Sequence, residues 1–265
     1  MAIIVPVITL GVLGAIFGAG LAIASKKLAV KVDPRLEKIH GLLPGANCGA
    51  CGGAGCFGFA EALLSGAMPL DACKGASEES RAAIAGILGQ AVEKKIKKTA
   101  VLHCNGGIKV KEKYRYSGLA DCVAAAGLMQ GPKACRFGCI GLGTCVAACP
   151  FGALSMSKEG LPVVDVRKCR ACGKCVTACP KKLFSMEPVS HPVYVACVSQ
   201  DIGRDTKTVC DTGCIGCRLC EKACKFDAIH VANNVAAIDH HKCTSCKACV
   251  KVCPSHTILM REDKP

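Results

Sequence analysis

Cys214-Ile215-Gly216-Cys217-Arg218-Leu219-Cys220-Glu221-Lys222-Ala223-Cys224 and, after a short interval, Cys243-Thr244-Ser245-Cys246-Lys247-Ala248-Cys249-Val250-Lys251-Val252-Cys253-Pro254 are the two stretches that decide the fold. Both have the spacing C-x2-C-x2-C-x3-C, and Cys169, Cys172, Cys175 and Cys179 repeat it. In such a run three close thiolates take three corners of one [4Fe–4S] cube, and the fourth cysteine reaches across to a neighbouring cube. Zinc sites are built differently, from two C-x2-C knuckles separated by a long spacer around one tetrahedral ion. Pro150, Pro180 and Pro254 follow the last cysteine of three groups, as in the bacterial iron–sulfur run; Lys225 takes that place after Cys224.

Crossed ligation then pairs Cys214, Cys217 and Cys220 with Cys253, and Cys243, Cys246 and Cys249 with Cys224. An earlier stretch repeats this plan imperfectly. Gly138-Cys139-Ile140-Gly141 matches Gly213-Cys214-Ile215-Gly216, which places Leu142 where the later copy has Cys217. Cys135 is the nearest replacement for the missing ligand. The expected sets in the first copy are therefore Cys135, Cys139 and Cys145 with Cys179, and Cys169, Cys172 and Cys175 with Cys149. Ala100 to Cys104 and Val193 to Cys197 each read as a short apolar strand ending in cysteine, one ahead of each copy. Two tandem ferredoxin-like units, residues 100–190 and 191–265, are the expected organisation.

A fourth kind of group precedes them, Cys48, Cys51, Cys56 and Cys73 in the spacing C-x2-C-x4-C-x16-C. The tract Gly45 to Cys56 is almost all small residues, and glycine accepts the backbone angles needed to fold tightly around a cube. Ser77 is placed to cap a helix with Glu78 and Glu79 in its first turn. Ile84, Ile87, Leu88, Ala91, Val92 and Ile96 give that helix its apolar face, and Lys94, Lys95, Lys97 and Lys98 crowd its end. Residues 27–99 are thus expected to form a small helical [4Fe–4S] domain.

Twenty-four cysteines in 265 residues, with no tryptophan and three tyrosines, leave too few large apolar side chains for an ordinary core in every domain. Metal ligation can supply the missing folding free energy. The formal charge of +14 counts every cysteine as neutral. Twenty thiolates around five cores of charge about +2 remove ten of it and leave about +4. That remaining positive charge favours an acidic protein partner over nucleic acid.

No charged residue occurs from Ala2 to Ser25, a run long enough to span a bilayer as a helix (residues 1–26). The absence of a basic n-region argues against a cleaved signal peptide. Lys26, Lys27, Lys31 and Arg35 follow it, so the positive-inside rule puts the remainder of a single-pass protein of the plasma membrane on the cytoplasmic side. Thiols stay reduced there, which disfavours a disulfide framework. The expected fold class is α+β, small and metal-stabilised: one transmembrane helix, the helical cluster domain and two ferredoxin-like units.

Cys104, Cys122, Cys197 and Cys210 remain. They read either as buried thiols or as a sixth cluster beyond the five assigned, since four is the number a cluster needs. No Gly-rich dinucleotide fingerprint follows a strand, so nucleotide chemistry would reside on a partner.

The order of features, one membrane helix, then C-x2-C-x4-C-x16-C, then ferredoxin motifs, resembles the iron–sulfur B component of the Rnf complex in its longer form, over essentially the whole chain. Cys48, Cys51, Cys56 and Cys73 fall on that family's N-terminal cluster motif. Cys135-Arg136-Phe137-Gly138-Cys139-Ile140-Gly141-Leu142-Gly143-Thr144-Cys145 is close to the form typical of the family. The resemblance implies a subunit that takes electrons from reduced ferredoxin and passes them toward membrane subunits and an NAD-reducing module, in a complex that moves sodium ions or protons. The other readings are a free-standing membrane polyferredoxin, the iron–sulfur subunit of another oxidoreductase, and a zinc module binding nucleic acid.

Overall fold

The computed structural model describes residues 4–27, 33–90 and 96–261. Helix α1 (Ile4–Lys27) ends on Lys26 and Lys27. Its 24 residues reach about 36 Å at about 1.5 Å each, more than the roughly 30 Å of a bilayer core. The window Leu10–Lys27 has a mean hydropathy of 1.4 and is nowhere buried against the rest of the chain. Among the described residues it is the one helix long and apolar enough to cross a membrane.

Three helices make the next body: α2 (Pro34–Leu42), α3 (Gly55–Leu64) and α4 (Glu78–Leu88). Pro34 opens α2, where a missing N–H costs nothing, and the Asp33 carboxylate accepts from the Arg35 backbone N–H at 2.8 Å. Leu36, Ile39, Phe59, Leu63 and Ile84 form one core, which also encloses Cys56 and Cys73. Ser77 caps α4 as its position predicts, accepting from the Ser80 N–H at 3.1 Å. The helix ends earlier than its periodicity suggests, because Gly89 turns left-handed at φ 67 just after Leu88. Ala91, Val92, Lys94 and Lys95 lie outside the described residues, Ile96 is exposed, and Lys98 already opens a strand.

The remainder is one plan used twice. The first copy runs β1 (Lys98–Leu102), α5 (Cys122–Gly127), α6 (Thr144–Ala147), β2 (Leu154–Met156), β3 (Pro162–Val164), α7 (Lys174–Ala178) and β4 (Phe184–Pro188). The second runs β5 (Val193–Val195), α8 (Gly203–Val209), α9 (Leu219–Ala223), β6 (Ile229–Ala232), β7 (Val235–Ile238), α10 (Ala248–Val252) and β8 (Ile258–Met260). In each, the first strand pairs antiparallel with the last, Ala100 opposite Met186 and Tyr194 opposite Leu259, and the two middle strands form a hairpin. Asn233 and Asn234 turn the β6–β7 hairpin with φ of 48 and 62, the left-handed pair that matches strand twist. The cores are small and cysteine-rich: Ala100, Leu154 and Phe184 with Cys145, Cys169 and Cys175 in one copy, Val193, Ile229 and Ile258 with Cys214 and Cys220 in the other.

The copies are stitched together by polar contacts. His103 donates from Nδ1 to the Val195 carbonyl at 2.7 Å, and its Nε2 lies 3.3 Å from Glu187. Thr212 donates to the Asn105 carbonyl at 2.9 Å, and Arg136 pairs with Asp201 at 2.7 Å.

Candidate iron–sulfur centres

Each cluster loop ends at a short helix whose first turn delivers the third cysteine to the interior: Cys145 on α6, Cys175 on α7, Cys220 on α9 and Cys249 on α10. The fourth cysteine lies at the end of the short helix in the partner motif. In the second unit this brings Cys214, Cys217, Cys220 and Cys253 around one cavity, and Cys224, Cys243, Cys246 and Cys249 around another. The cysteines of each crossed set expected from the spacing thus line a common cavity. In the first unit Cys172 lies near Cys149 and Cys169, and Cys175 near Cys169 and Cys172. Cys73 lies beside Cys51 and Cys56 in the helical body. The Asn47 carboxamide, at the start of that loop, accepts from the Cys56 N–H at 2.7 Å and holds the glycine-rich turn closed.

The leading site of the first unit differs from the expectation. Its cavity is lined by Cys122, Cys139, Cys145 and Cys179, and Cys135 is not among its lining residues. The reason is local: Asp121 caps α5 by accepting from the Ala124 N–H at 2.9 Å and also from the Thr144 hydroxyl at 2.8 Å. Thr144 in turn accepts from the Cys122 N–H at 2.7 Å, which fixes the start of α5 against the start of α6. Cys135 is buried elsewhere. It lines a cavity between the two units together with Cys104, Cys197 and Cys210. A sequence signal for this pairing exists: Cys135 precedes Gly138-Cys139 by the same interval as Cys210 precedes Gly213-Cys214, just as Cys104 and Cys197 each follow the first strand of their unit. The inter-unit set is thus two cysteines from each copy at equivalent places, and Cys122 has no counterpart.

Among the described residues no group of three or more His, Cys, Asp or Glu side chains is arranged to hold a single metal ion. Cysteines instead ring cavities walled by small and apolar residues, a donor set and a space that suit an iron–sulfur cube. Backbone N–H groups are aimed at the fourth sulfur of every motif: Ala153 at Cys149 (3.4 Å), Leu183 at Cys179 (3.5 Å), Ala228 at Cys224 (3.4 Å) and Thr257 at Cys253 (3.3 Å). Such bonds stabilise negative charge on ligating sulfur and tune a cluster's potential. Burial, with neighbouring thiols adding to it, pushes Cys139 and Cys175 up to about 12 and Cys145 to about 11. Burial likewise pushes Cys197 and Cys220 up to about 11. Thiols of that kind are poor nucleophiles at neutral pH, and a bound cluster would have to displace their protons.

The cysteine groups are neighbours in a definite order. Cys48 of the helical body is felt by Cys172, and a Cβ on Gly75 would lie 3.0 Å from the Phe151 ring, so the helical body abuts the first unit. Cys145 and Cys175 share one core. Cys139 donates its N–H to the Cys104 sulfur at 3.4 Å, and Cys197 accepts from the Cys214 N–H. Cys220, Cys224, Cys249 and Cys253 share the last core.

An apolar N-terminal helix long enough to cross a membrane, followed by a helical iron–sulfur domain and tandem dicluster ferredoxin units, defines an iron–sulfur electron carrier. Family models agree: a putative Fe–S cluster model matches residues 43–74, a 4Fe-4S dicluster model matches 138–183 and 213–258, and a second dicluster model matches 168–228. The B component of the ion-translocating oxidoreductase complex of Methanosarcina acetivorans is 47% identical over 94% of this chain and 95% of its own length. The B component of the Na(+)-translocating ferredoxin:NAD(+) oxidoreductase complex of Acetobacterium woodii is 45% identical over 97% of this chain and 78% of its own. The proton-translocating counterpart from Clostridium ljungdahlii is 40% identical over 97% and 92%. The chain belongs to the family of B components of ion-translocating oxidoreductase complexes, the Rnf family, and it is the electron-transfer, membrane-associated member of such a complex.

Proposed function

We propose that this chain relays single electrons from reduced ferredoxin to the other subunits of its complex, and that it does so with six [4Fe–4S] clusters. The ligand sets are Cys48, Cys51, Cys56 and Cys73; Cys149, Cys169, Cys172 and Cys175; Cys122, Cys139, Cys145 and Cys179; Cys104, Cys135, Cys197 and Cys210; Cys214, Cys217, Cys220 and Cys253; and Cys224, Cys243, Cys246 and Cys249. Bound there, each cluster would accept and release one electron at a potential that all-cysteine ligation can make low. The observation that carries this reading is the unbroken succession of cysteine groups, in which the inter-unit set fills what would otherwise be a gap between Cys139 and Cys214.

The chain's own residues do three things in this scheme. They bury the sulfurs among small apolar side chains, direct N–H groups at them, and hold the two ferredoxin units in register through His103, Thr212 and Arg136. Ferredoxin as donor, and NAD+ as an acceptor handled by partner subunits, follow from the names of the relatives and from the absence of a dinucleotide fingerprint here. The basic flank of α1 supports placing the cysteine-bearing body on the cytoplasmic face of the plasma membrane. With six clusters the net charge falls to about +2, and the surface lysines become the positive face of a nearly neutral protein.

Iron and acid-labile sulfide analysis of anaerobically purified chain tests the count: about 24 of each per chain is expected, and about 20 would remove the inter-unit cluster from the scheme.

A further inference from the structure

Four of the six cysteine groups are copies of one motif plan, and the group of Cys224, Cys243, Cys246 and Cys249 carries a lysine at two points of it, one of them found in no other copy. Lys225 stands where Pro150, Pro180 and Pro254 follow the other fourth cysteines, and Lys247 stands where the first unit has Gly143 and Gly173 and the neighbouring motif has Arg218. Lys247 holds φ 65, a left-handed backbone that Gly173 adopts at φ 82 without steric cost and that disfavours any side chain. Arg218 shares that backbone at φ 60, so it is Lys225 that sets this group apart from the other three. Both lysines are exposed, and neither is ion-paired among the described residues; Lys242 nearby is taken up by Asp227 at 3.1 Å. The other nearby acid, Asp239, accepts from the His241 N–H at 2.9 Å.

The same place is where the molecule's interior comes to its surface. Cys246 and Cys217 are the two exposed cysteines, and Cys246 belongs to the group that ends the succession. Phe226, 46% exposed, and Lys247 line that same cavity. The opposite end of the succession is not free in this way, because only residues 28–33 separate α1 from α2 and keep Cys48 to Cys73 within a short chain length of the membrane helix.

We infer that Lys225, Phe226, Cys246 and Lys247 form the docking surface for an acidic protein that carries one electron at a time. The inference rests on the donor reading above and names the face the donor uses. Two unpaired cations would steer and orient an anionic carrier, an exposed aromatic side chain gives the small apolar centre of a short-lived interface, and the exposed sulfur shortens the gap an electron must cross.

The test uses full-length chain purified anaerobically with its clusters, and an acidic two-cluster ferredoxin as probe. Binding is measured by calorimetry across a salt series, and electron transfer from the reduced probe by stopped flow. The double variant Lys225→Pro with Lys247→Gly installs the proline that follows the other fourth cysteines and the glycine of the first unit's two motifs, so the backbone is expected to be satisfied; iron content and full reduction by dithionite verify that it is intact. We expect affinity and second-order rate to fall about tenfold at low salt, with the difference shrinking as salt rises past about 0.5 M. Unchanged affinity and salt dependence in a probe-binding protein would overturn the surface while leaving the donor reading standing. A wild-type chain that binds no ferredoxin at any salt would overturn both. Loss of assembly with the other subunits, at unchanged ferredoxin affinity, would make this face an internal interface and overturn the inference as well.

Discussion

At equivalent points of the two ferredoxin units, the second has Cys217 on its cluster loop and the first has Leu142. The cavity of the second unit is ringed by cysteines from motif positions alone, whereas that of the first includes Cys122 on α5, a helix that is no part of the motif. That placement depends on a dedicated hydrogen-bond relay through Asp121, Thr144 and Cys122. A spacing rule therefore locates a site reliably only where local sequence supplies every donor. Where a donor comes from afar, capping and packing decide.

The largest effect should come from testing that difference directly. Cys122→Ala is expected to remove about four iron atoms per chain, leaving the inter-unit signals in place, whereas Cys135→Ala should remove a similar number from the inter-unit set. Adding Leu142→Cys to Cys122→Ala restores the motif ligand and is expected to recover the lost iron. Iron analysis with low-temperature electron paramagnetic resonance reads both; loss of the same signal in the two single variants would restore Cys135 to the leading site.

An intermediate effect is expected at the seam between the units. Glu187 is 8% exposed and lies 3.3 Å from His103 and 3.4 Å from His240. Burial acts to raise its carboxyl, but the hydrogen bond and charge of His103 hold it below its ordinary 4.5. Burial likewise pulls His103 down, and the Glu187 and Val195 contacts more than offset this, so the imidazole titrates above its ordinary 6.5. The carboxylate's contribution is present above about pH 4.5 and lost in acid; that of the imidazolium is full below about pH 6.5 and fades as pH rises through the raised folded value. Glu187→Gln should therefore cost about 1–3 kcal/mol near pH 6, with a smaller deficit near pH 8. Anaerobic denaturant unfolding at the two pH values checks this, and a deficit independent of pH would sink it.

The smallest effect concerns the helix starts, where the first unit has Gly143 and Gly173 and the second has Arg218 and Lys247, all left-handed. Arg218→Gly is expected to stabilise the loaded chain by about 1 kcal/mol. A fall in stability in the same unfolding assay would mean that packing by the arginine side chain outweighs the backbone strain.

Much of this is legible in the sequence. The three regular motifs, the N-terminal cysteine group, the strands ahead of Cys104 and Cys197 and the α1 helix all follow from spacing and composition, because each is specified by residues close together along the chain. Apolar periodicity alone carries α4 too far, since it runs on past Gly89, where the left-handed turn stops the helix. Cys122 and Cys135 exchange places for a different reason: Cys135 is nearer to Leu142 along the chain, and Cys122 is nearer to the cavity in space. The matched intervals Cys135 to Gly138 and Cys210 to Gly213 are the signal that separates them.

The inter-unit pocket also sets a timetable for biosynthesis. When a ribosome has released Cys104 and Cys135, their companions Cys197 and Cys210 are still unmade, and Cys145 must likewise wait for Cys179. A nascent chain thus exposes half-built nests of thiols to the cytoplasm until translation has nearly finished. Metallation has to trail synthesis, and a truncated product would carry ligands that no later event could complete.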